Sequence, residues 1–179
     1  MGRQKYFSCL WVMPGVRDKS RGWIVAGSMR YPCALGAGGV LRQKREGDGA
    51  TPCGDLAVLG GYYRGDRILY PANGLGLSPI RTSDGWCDDP ADGRYNRPVR
   101  LPFAAGHEKM ARVDHLYDVV VVLDWNISRR SRGMGSAIFF HLAHDDYRPT
   151  EGCIAVSADT MKRLLPLIRA GTVFRVRDA

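Results

Sequence analysis

The sequence predicts a mainly β fold, because short apolar runs dominate it, turn residues bound those runs, and helical patterns are scarce. The runs are rich in β-branched and aromatic residues, and glycine, proline, aspartate and asparagine flank them, as is typical of strands joined by turns. They are Gly22–Gly27, Leu56–Tyr63, Tyr117–Leu123, Ala137–Leu142, Cys153–Val156 and Thr172–Val176. We therefore expect a strand in each of these segments.

The hydrophobic pattern distinguishes strands buried on both faces from half-exposed ones. Val119–Val122 is apolar without interruption, which indicates a strand that lies between two layers of protein. Thr172–Val176 alternates between apolar and polar residues, which predicts a strand with one face towards solvent.

One helix is well indicated near the end of the chain. Ser157 is a favourable N-cap, and Asp159 places a negative charge in the first turn. Apolar residues at helical spacing follow over Met161–Ile168, and the pattern ends near Gly171. Pro166 lies inside this pattern, so we expect the helix to kink or to split into two short pieces.

Two segments are rich in glycine, proline and aspartate and are predicted to be long loops. They are Lys44–Gly54 and Asp84–Gly106. Loops of this length in a small domain are more often functional than idle.

Length and composition describe one folded domain. The chain has 179 residues, of which 45% are hydrophobic and 25% charged, and this composition argues against intrinsic disorder. No apolar run approaches the roughly 18 residues that span a bilayer, so we expect no stable membrane insertion. No repeat is visible, which excludes solenoid and propeller folds.

The net charge of +8 favours a polyanionic partner, such as nucleic acid, a membrane surface or an acidic wall polymer. The basic residues are scattered singly and in short groups, without a lysine-rich arm. This distribution makes nucleic acid the least favoured partner. Most single arginines of this kind belong to solvated loops or structural ion pairs.

The five cysteines show no CxxC pair and no histidines at zinc-finger spacing, so we expect no metal site. Their odd number leaves at least one thiol unpaired. In an exported protein such a thiol is either intermolecular or reactive.

A histidine and a cysteine form the candidate catalytic pair. His141 lies in an apolar run, and Cys153 follows Gly152 at the start of another. A neighbouring imidazole can hold a thiol ready as a nucleophile, and a glycine lets a substrate carbonyl approach the backbone amides that would bind an oxyanion. Two alternatives stay open from the residues alone: both side chains are merely packed in the core, or His144 is the base.

These residues resemble the active-site motif of the L,D-transpeptidase (YkuD-like) family. In FFH…PTEGCIAVS, His141 corresponds to the family's base, Thr150 to its serine or threonine, Gly152 to its glycine and Cys153 to its nucleophile. KREGDGATPCG and GWCDDPADGRYNRPV are similar to segments of a compact bacterial branch of the family, and the resemblance covers Gly36–Val176. It implies a β-sandwich of mixed sheets with one or two short helices after the cysteine.

Two positions depart from the more familiar form of the motif. Glu151 stands where a histidine is usual, and Ala155 stands where an arginine or asparagine is usual. The gap from His141 to Cys153 is also short. Because nucleophile, base and glycine are retained, these departures concern donor and acceptor binding more than acyl transfer.

The resemblance implies a peptidoglycan enzyme that needs no metal or other cofactor. Cys153 would attack a meso-diaminopimelate carbonyl in a donor stem peptide, and His141 would protonate the leaving D-amino acid. An acceptor amine would then resolve the thioester, giving a 1-3 or a 3-3 crosslink in cell-wall biogenesis and cell-shape maintenance. The expected substrate-binding residues are Thr150, Glu151, Arg94, Asn96, Arg97 and His115.

Alternative functions use the same fold. A carboxypeptidase or endopeptidase would hydrolyse the same acyl-enzyme, and a non-catalytic wall-binding module would carry an unreactive Cys153. We expect a monomer that binds stem peptides and no nucleic acid.

We expect residues 1–20 to form an N-terminal extension and residues 21–179 the catalytic domain. A wall substrate implies the periplasm or cell wall. The N-terminal stretch is nevertheless a poor match to a signal peptide, because its apolar part, Tyr6–Pro14, is short.

Overall fold

A computed structural model of the chain describes residues 6–178. Its strands are β1 (Cys9–Pro14), β2 (Arg21–Ala26), β3 (Met29–Ala34), β4 (Val40–Leu41), β5 (Thr51–Pro52), β6 (Gly54–Tyr63), β7 (Ser78–Pro79), β8 (Asp84–Cys87), β9 (Arg97–Arg100), β10 (His107–Lys109), β11 (Val119–Leu123), β12 (Phe139–Leu142), β13 (Ile154–Val156) and β14 (Val173–Val176). Helix α1 spans Ala158–Leu164, and a 3-10 helix follows at Leu165–Leu167.

The largest sheet has nine strands in the order β11-β12-β13-β3-β2-β1-β14-β6-β7, and β6 also pairs with β11. The sheet therefore closes on itself. Parallel pairs, such as β1 with β14 and β12 with β13, occur beside antiparallel ones. The predicted mainly β class with mixed sheets is confirmed.

Each run that was predicted as a strand contains one, namely β2, β6, β11, β12, β13 and β14. Cys9–Pro14, which the sequence analysis placed in an N-terminal extension, forms β1 and pairs with β2 and β14. The domain boundary after residue 20 stays a prediction. Residues 1–5 of that extension lie outside the described residues.

The main core fills the interior of the closed sheet, where side chains from alternate strand positions meet. Val119, Val121 and Leu123 of β11 point into this core. Val120 and Val122 point the other way, into a second cluster. The prediction that β11 is covered on both faces is therefore confirmed, and the second cluster lies on the face that carries the candidate site.

The helix begins where the sequence predicts. Ser157 Oγ accepts a hydrogen bond from the Thr160 N–H at 3.2 Å, as an N-cap does. The α-helix ends at Leu164, and Pro166 lies in the 3-10 helix that follows. This division of the helical pattern into two short pieces matches the effect expected of the proline.

The prediction of one long loop over Asp84–Gly106 was wrong. The segment contains β8 and β9, which join β10 in a separate three-stranded sheet in the order β10-β8-β9. Each of these strands has only four residues and lies among turn residues, so the sequence pattern did not indicate it. The Lys44–Gly54 segment is mostly turn, with β5 near its end.

Within residues 6–178, we find no helix that is long and apolar enough to cross a membrane.

Candidate active site

Strand pairing places His141 and Cys153 on one face of the sheet. β12 and β13 are parallel, with His141 beside Ala155, and directly paired residues share a face. Cys153 precedes Ala155 by two residues, just before β13 begins, and so points to the same side, about 7 Å from Ala155 in the N-terminal direction. Phe140 and Leu142 point into the main core on the opposite side. The predicted base and nucleophile therefore lie together.

Both side chains line one cavity of about 260 Å³, called the active-site cavity below. Its walls come from β10, from the segment before β11, from β12 and from the loop that leads into β13. The lining residues are Glu108, Arg112, Leu116, Tyr117, His141, Leu142, Ala143, His144, Arg148, Pro149, Thr150, Glu151, Cys153 and Ala155.

The Cys153 thiol is held by backbone groups of the segment that leads into β12. Its S–H donates to the Ala137 carbonyl at 3.2 Å, and Sγ accepts the Phe139 N–H at 3.4 Å. Burial, together with a smaller effect of the nearby Glu108 carboxylate, raises the pKa of the thiol to about 12. At neutral pH the resting cysteine is therefore a neutral thiol.

The His141 imidazole is buried and anchored at one nitrogen. Its Nδ1–H donates to the Leu142 carbonyl at 2.8 Å, so that Nε2 carries a free lone pair. Burial lowers the pKa of His141 to about 4. The ring also meets that of Tyr117 edge-on, with 5.2 Å between centroids. The candidate pair is thus neutral at both groups, and the imidazole is in the form that accepts a proton.

Gly152 is required by the backbone of the loop before the nucleophile. Its φ is +128°, and a Cβ at this position would lie 2.7 Å from the Ala50 carbonyl oxygen. The Gly152 N–H donates to Thr150 Oγ1 at 3.2 Å, and that hydroxyl donates to the Cys153 carbonyl at 2.7 Å. Thr150 therefore shapes the loop that presents the thiol.

The KREGDGATPCG segment, residues 44–54, packs against this loop through Ala50. Lys44 is buried, and its Nζ donates to Asp48 Oδ1 at 2.5 Å and to the Arg45 carbonyl at 3.0 Å. Asp48 in turn accepts the N–H of Ala50 at 2.9 Å. The ion pair thereby holds Ala50 against Gly152, and the Lys44 charge favours the thiolate form of Cys153.

Two further predicted residues lie near the cavity. Glu151 is exposed and lines its mouth, as does His144, the alternative base. His115 Nε2–H donates to the Ala143 carbonyl at 3.0 Å, and its ring meets that of His144 edge-on at 6.2 Å. His115 thus supports the rim, while His141 occupies the interior.

Asn96 and Arg97 lie outside the active-site cavity. Asn96 is completely buried: its Oδ1 accepts the Trp86 indole N–H and the Ala137 N–H, and its Nδ2 donates to two carbonyls. All four hydrogen-bonding positions of this amide are occupied by protein. Arg97 donates to the Ile127 carbonyl at 2.9 Å. Asn96 positions Ala137, whose carbonyl holds the thiol.

Arg94 lines a different, larger cavity of about 700 Å³ between the small sheet and β7. It is ion-paired with Asp92 at 3.2 Å and lies over the Phe103 ring. Its expected contact with substrate at the catalytic pair stays a prediction.

Several residues of the cavity wall were not predicted from the sequence, and three of them, Glu108, Arg112 and Tyr117, interact with one another. Tyr117 Oη donates to Glu108 Oε2 at 2.7 Å, and Arg112 lies over the Tyr117 ring at 5.1 Å. Burial raises the pKa of Glu108 to about 7. No local pattern marks these residues, because Glu108 is on a three-residue strand that pairs with β8.

The residues 6–178 contain no group of three or more histidine, cysteine, aspartate and glutamate side chains that could hold a metal ion.

The sequence of this chain matches the family model of the YkuD L,D-transpeptidase catalytic domain over residues 17–176. The chain belongs to the YkuD family. This match covers nearly the whole chain, and the mainly β structure is consistent with the family's β-sandwich. The family acts on peptidoglycan. No curated protein and no solved structure matches the chain significantly.

Proposed function

We propose that this YkuD protein is a cysteine-dependent L,D-transpeptidase that crosslinks peptidoglycan stem peptides. The observation that carries the proposal is the placement of the Cys153 thiol and the His141 imidazole in one cavity, on one face of β12 and β13. The neutral imidazole, anchored at Nδ1, is the base that this thiol requires.

The first step is acylation of the cysteine. At rest the thiol proton points to the Ala137 carbonyl and not to the imidazole. When a donor stem peptide enters, rotation of the thiol turns this proton towards His141 Nε2. Sγ then attacks the meso-diaminopimelate carbonyl, and the imidazolium returns the proton to the nitrogen of the leaving D-amino acid.

The oxyanion that forms during this attack requires hydrogen-bond donors. The backbone N–H groups of Gly152 and Cys153 are the donors that we propose. The Gly152 N–H would exchange its bond to Thr150 Oγ1 for one to the oxyanion. Thr150 Oγ1 already accepts the Gly152 N–H at 3.2 Å, so the loop is held in shape before substrate binds.

The second step transfers the acyl group to an acceptor amine. Depending on which stem residue supplies the amine, the product is a 1-3 or a 3-3 crosslink. The net charge of +8 suits a substrate rich in carboxylates. A wall substrate places the enzyme in the periplasm or cell wall.

Intact-protein and product mass spectrometry tests this function. We expect wild type incubated with purified disaccharide-tetrapeptide to form a Cys153 thioester and then a crosslinked dimer. Cys153→Ala should form neither, whereas Cys53→Ala, which removes a half-buried thiol elsewhere, should behave as wild type.

The other outcomes distinguish the alternatives. Loss of the terminal D-residue without a dimer would identify a carboxypeptidase. Unmodified Cys153 and unchanged substrate would favour the wall-binding module, and turnover by Cys153→Ala would contradict the mechanism.

A further inference from the structure

Glu108 has no role in the acylation chemistry, yet it lines the same cavity as the catalytic pair. It lies on β10, opposite Trp86 of β8. The Tyr117 hydroxyl donates to its Oε2 at 2.7 Å, and the ring of the same tyrosine contacts His141 edge-on. The carboxyl group is therefore fixed at the Tyr117 hydroxyl in the cavity wall, where its charge acts on the Cys153 thiol, with Oε1 left for another donor.

In the described part of the chain no ion pair within 4.0 Å includes Glu108. The charge of Arg112 acts on Glu108 and lowers its pKa, but Arg112 forms its ion pair with Asp114: its Nε and Nη2 donate to the two carboxylate oxygens at 2.9 and 2.7 Å. A partly buried carboxyl group without a cation normally destabilises a fold. Oε1 of Glu108 is therefore an open acceptor for a cation that enters the cavity.

The proposed reaction brings such a cation into the cavity. An acceptor amine arrives in water as an ammonium ion, and it must lose a proton before it can attack a thioester. A carboxylate with a pKa near neutrality, such as Glu108 at about 7, is suited to take this proton. The charges of Asp88 and Glu151 raise the pKa of Glu108. The charge of Glu108 in turn raises the pKa of Cys153.

We propose that Glu108 binds the acceptor ammonium group and accepts its proton during transfer of the acyl group. This inference rests on the proposed transpeptidase function and deepens it. In the reaction, the ammonium gives one proton to the Glu108 carboxylate, and the free amine attacks the thioester carbonyl. As the amide C–N bond forms and the C–S bond breaks, His141 takes the second proton from nitrogen and delivers it to Sγ. The Glu108 proton then passes to water.

Glu108→Gln tests the proposal because it removes the charge and keeps the shape and the acceptor for Tyr117. With disaccharide-tetrapeptide we expect acylation of Cys153 at least as fast as in wild type, since that step does not use Glu108 and loss of its charge lowers the pKa of the thiol. We expect the ratio of dimer to hydrolysed tripeptide to fall by at least about tenfold. Asp55→Asn, which removes an exposed carboxylate that pairs with Arg175, should keep the wild-type ratio.

A second nucleophile separates proton transfer from a structural effect. Hydroxylamine is neutral at pH 7 and needs no prior deprotonation by Glu108, while His141 can still move its remaining proton to Sγ. It should therefore resolve the Glu108→Gln thioester as fast as that of wild type. An unchanged product ratio, a parallel loss of acylation, or a loss of the hydroxylamine reaction would each overturn the role of Glu108. If wild type forms no thioester, the proposed function itself fails, and the acylation measurement shows this separately.

Discussion

The neutral state of His141 gives a quantitative prediction for stability. Burial lowers its pKa from 6.5 to about 4, so between these values the unfolded chain binds a proton that the folded chain does not. Stability from this group is fully present above pH 6.5 and is lost as the pH falls towards 4. The full shift corresponds to about 3 kcal/mol, of which about 2 kcal/mol is expressed between pH 7 and pH 4.5.

The perturbation is His141→Gln, which removes the titrating ring and leaves a neutral side chain. Urea unfolding at pH 7 and at pH 4.5 gives the free energy of unfolding for wild type and variant. We expect wild type to lose about 2 kcal/mol more than the variant over this interval. Cys153→Ala keeps His141 and should show the wild-type loss, because its thiol does not titrate in this range.

Equal losses in wild type and His141→Gln would refute the reasoning. His141 would then bind its proton equally well in the folded and the unfolded chain, and the neutral pair on which the proposed first step depends would be wrong. Other carboxyl groups, Glu108 included, titrate in all three proteins and cancel in the comparison.

Two further substitutions test the surroundings of the thiol. Gly152→Ala should lower the free energy of unfolding by about 2 kcal/mol and abolish acylation, because the new Cβ would contact the Ala50 carbonyl at 2.7 Å. The control is Gly171→Ala: Gly171 also has a positive φ but open space around it, so this variant should acylate normally in the same thioester assay. Asn96→Ala should lower the free energy of unfolding by about 3 kcal/mol, since it leaves the Ala137 N–H and other buried groups without partners. A loss below about 1 kcal/mol in urea unfolding would contradict the role assigned to this amide.

Much of the main sheet could be predicted from local patterns. The two-sided apolar run of β11 and the Ser157 cap with Pro166 behind it each depend on residues close in sequence. The short strands β8 and β9 could not be predicted in this way, because they depend on pairing with strands distant in sequence: β8 pairs with both β9 and β10 across irregular segments.

The candidate site shows the same division. His141, Gly152 and Cys153 were proposed from residue types, spacing and the resemblance to the YkuD family, and the structure places His141 and Cys153 in one cavity. Thr150, which was expected to bind substrate, holds the loop before Cys153. Asn96 was expected at the substrate, whereas the structure places it in the interior with its amide fully bonded.

The sequence by itself determined the mainly β class, the positions of the longer strands and the helix, and the choice of Cys153 and His141 as candidates. These follow from periodicity, capping and residue chemistry, all of which act over a few residues. Only the tertiary structure decided that both groups are neutral, that the Ala137 carbonyl holds the thiol, and that Glu108 faces them from β10. Burial and strand pairing between distant segments set these properties, and neither can be read from the residues on one segment alone.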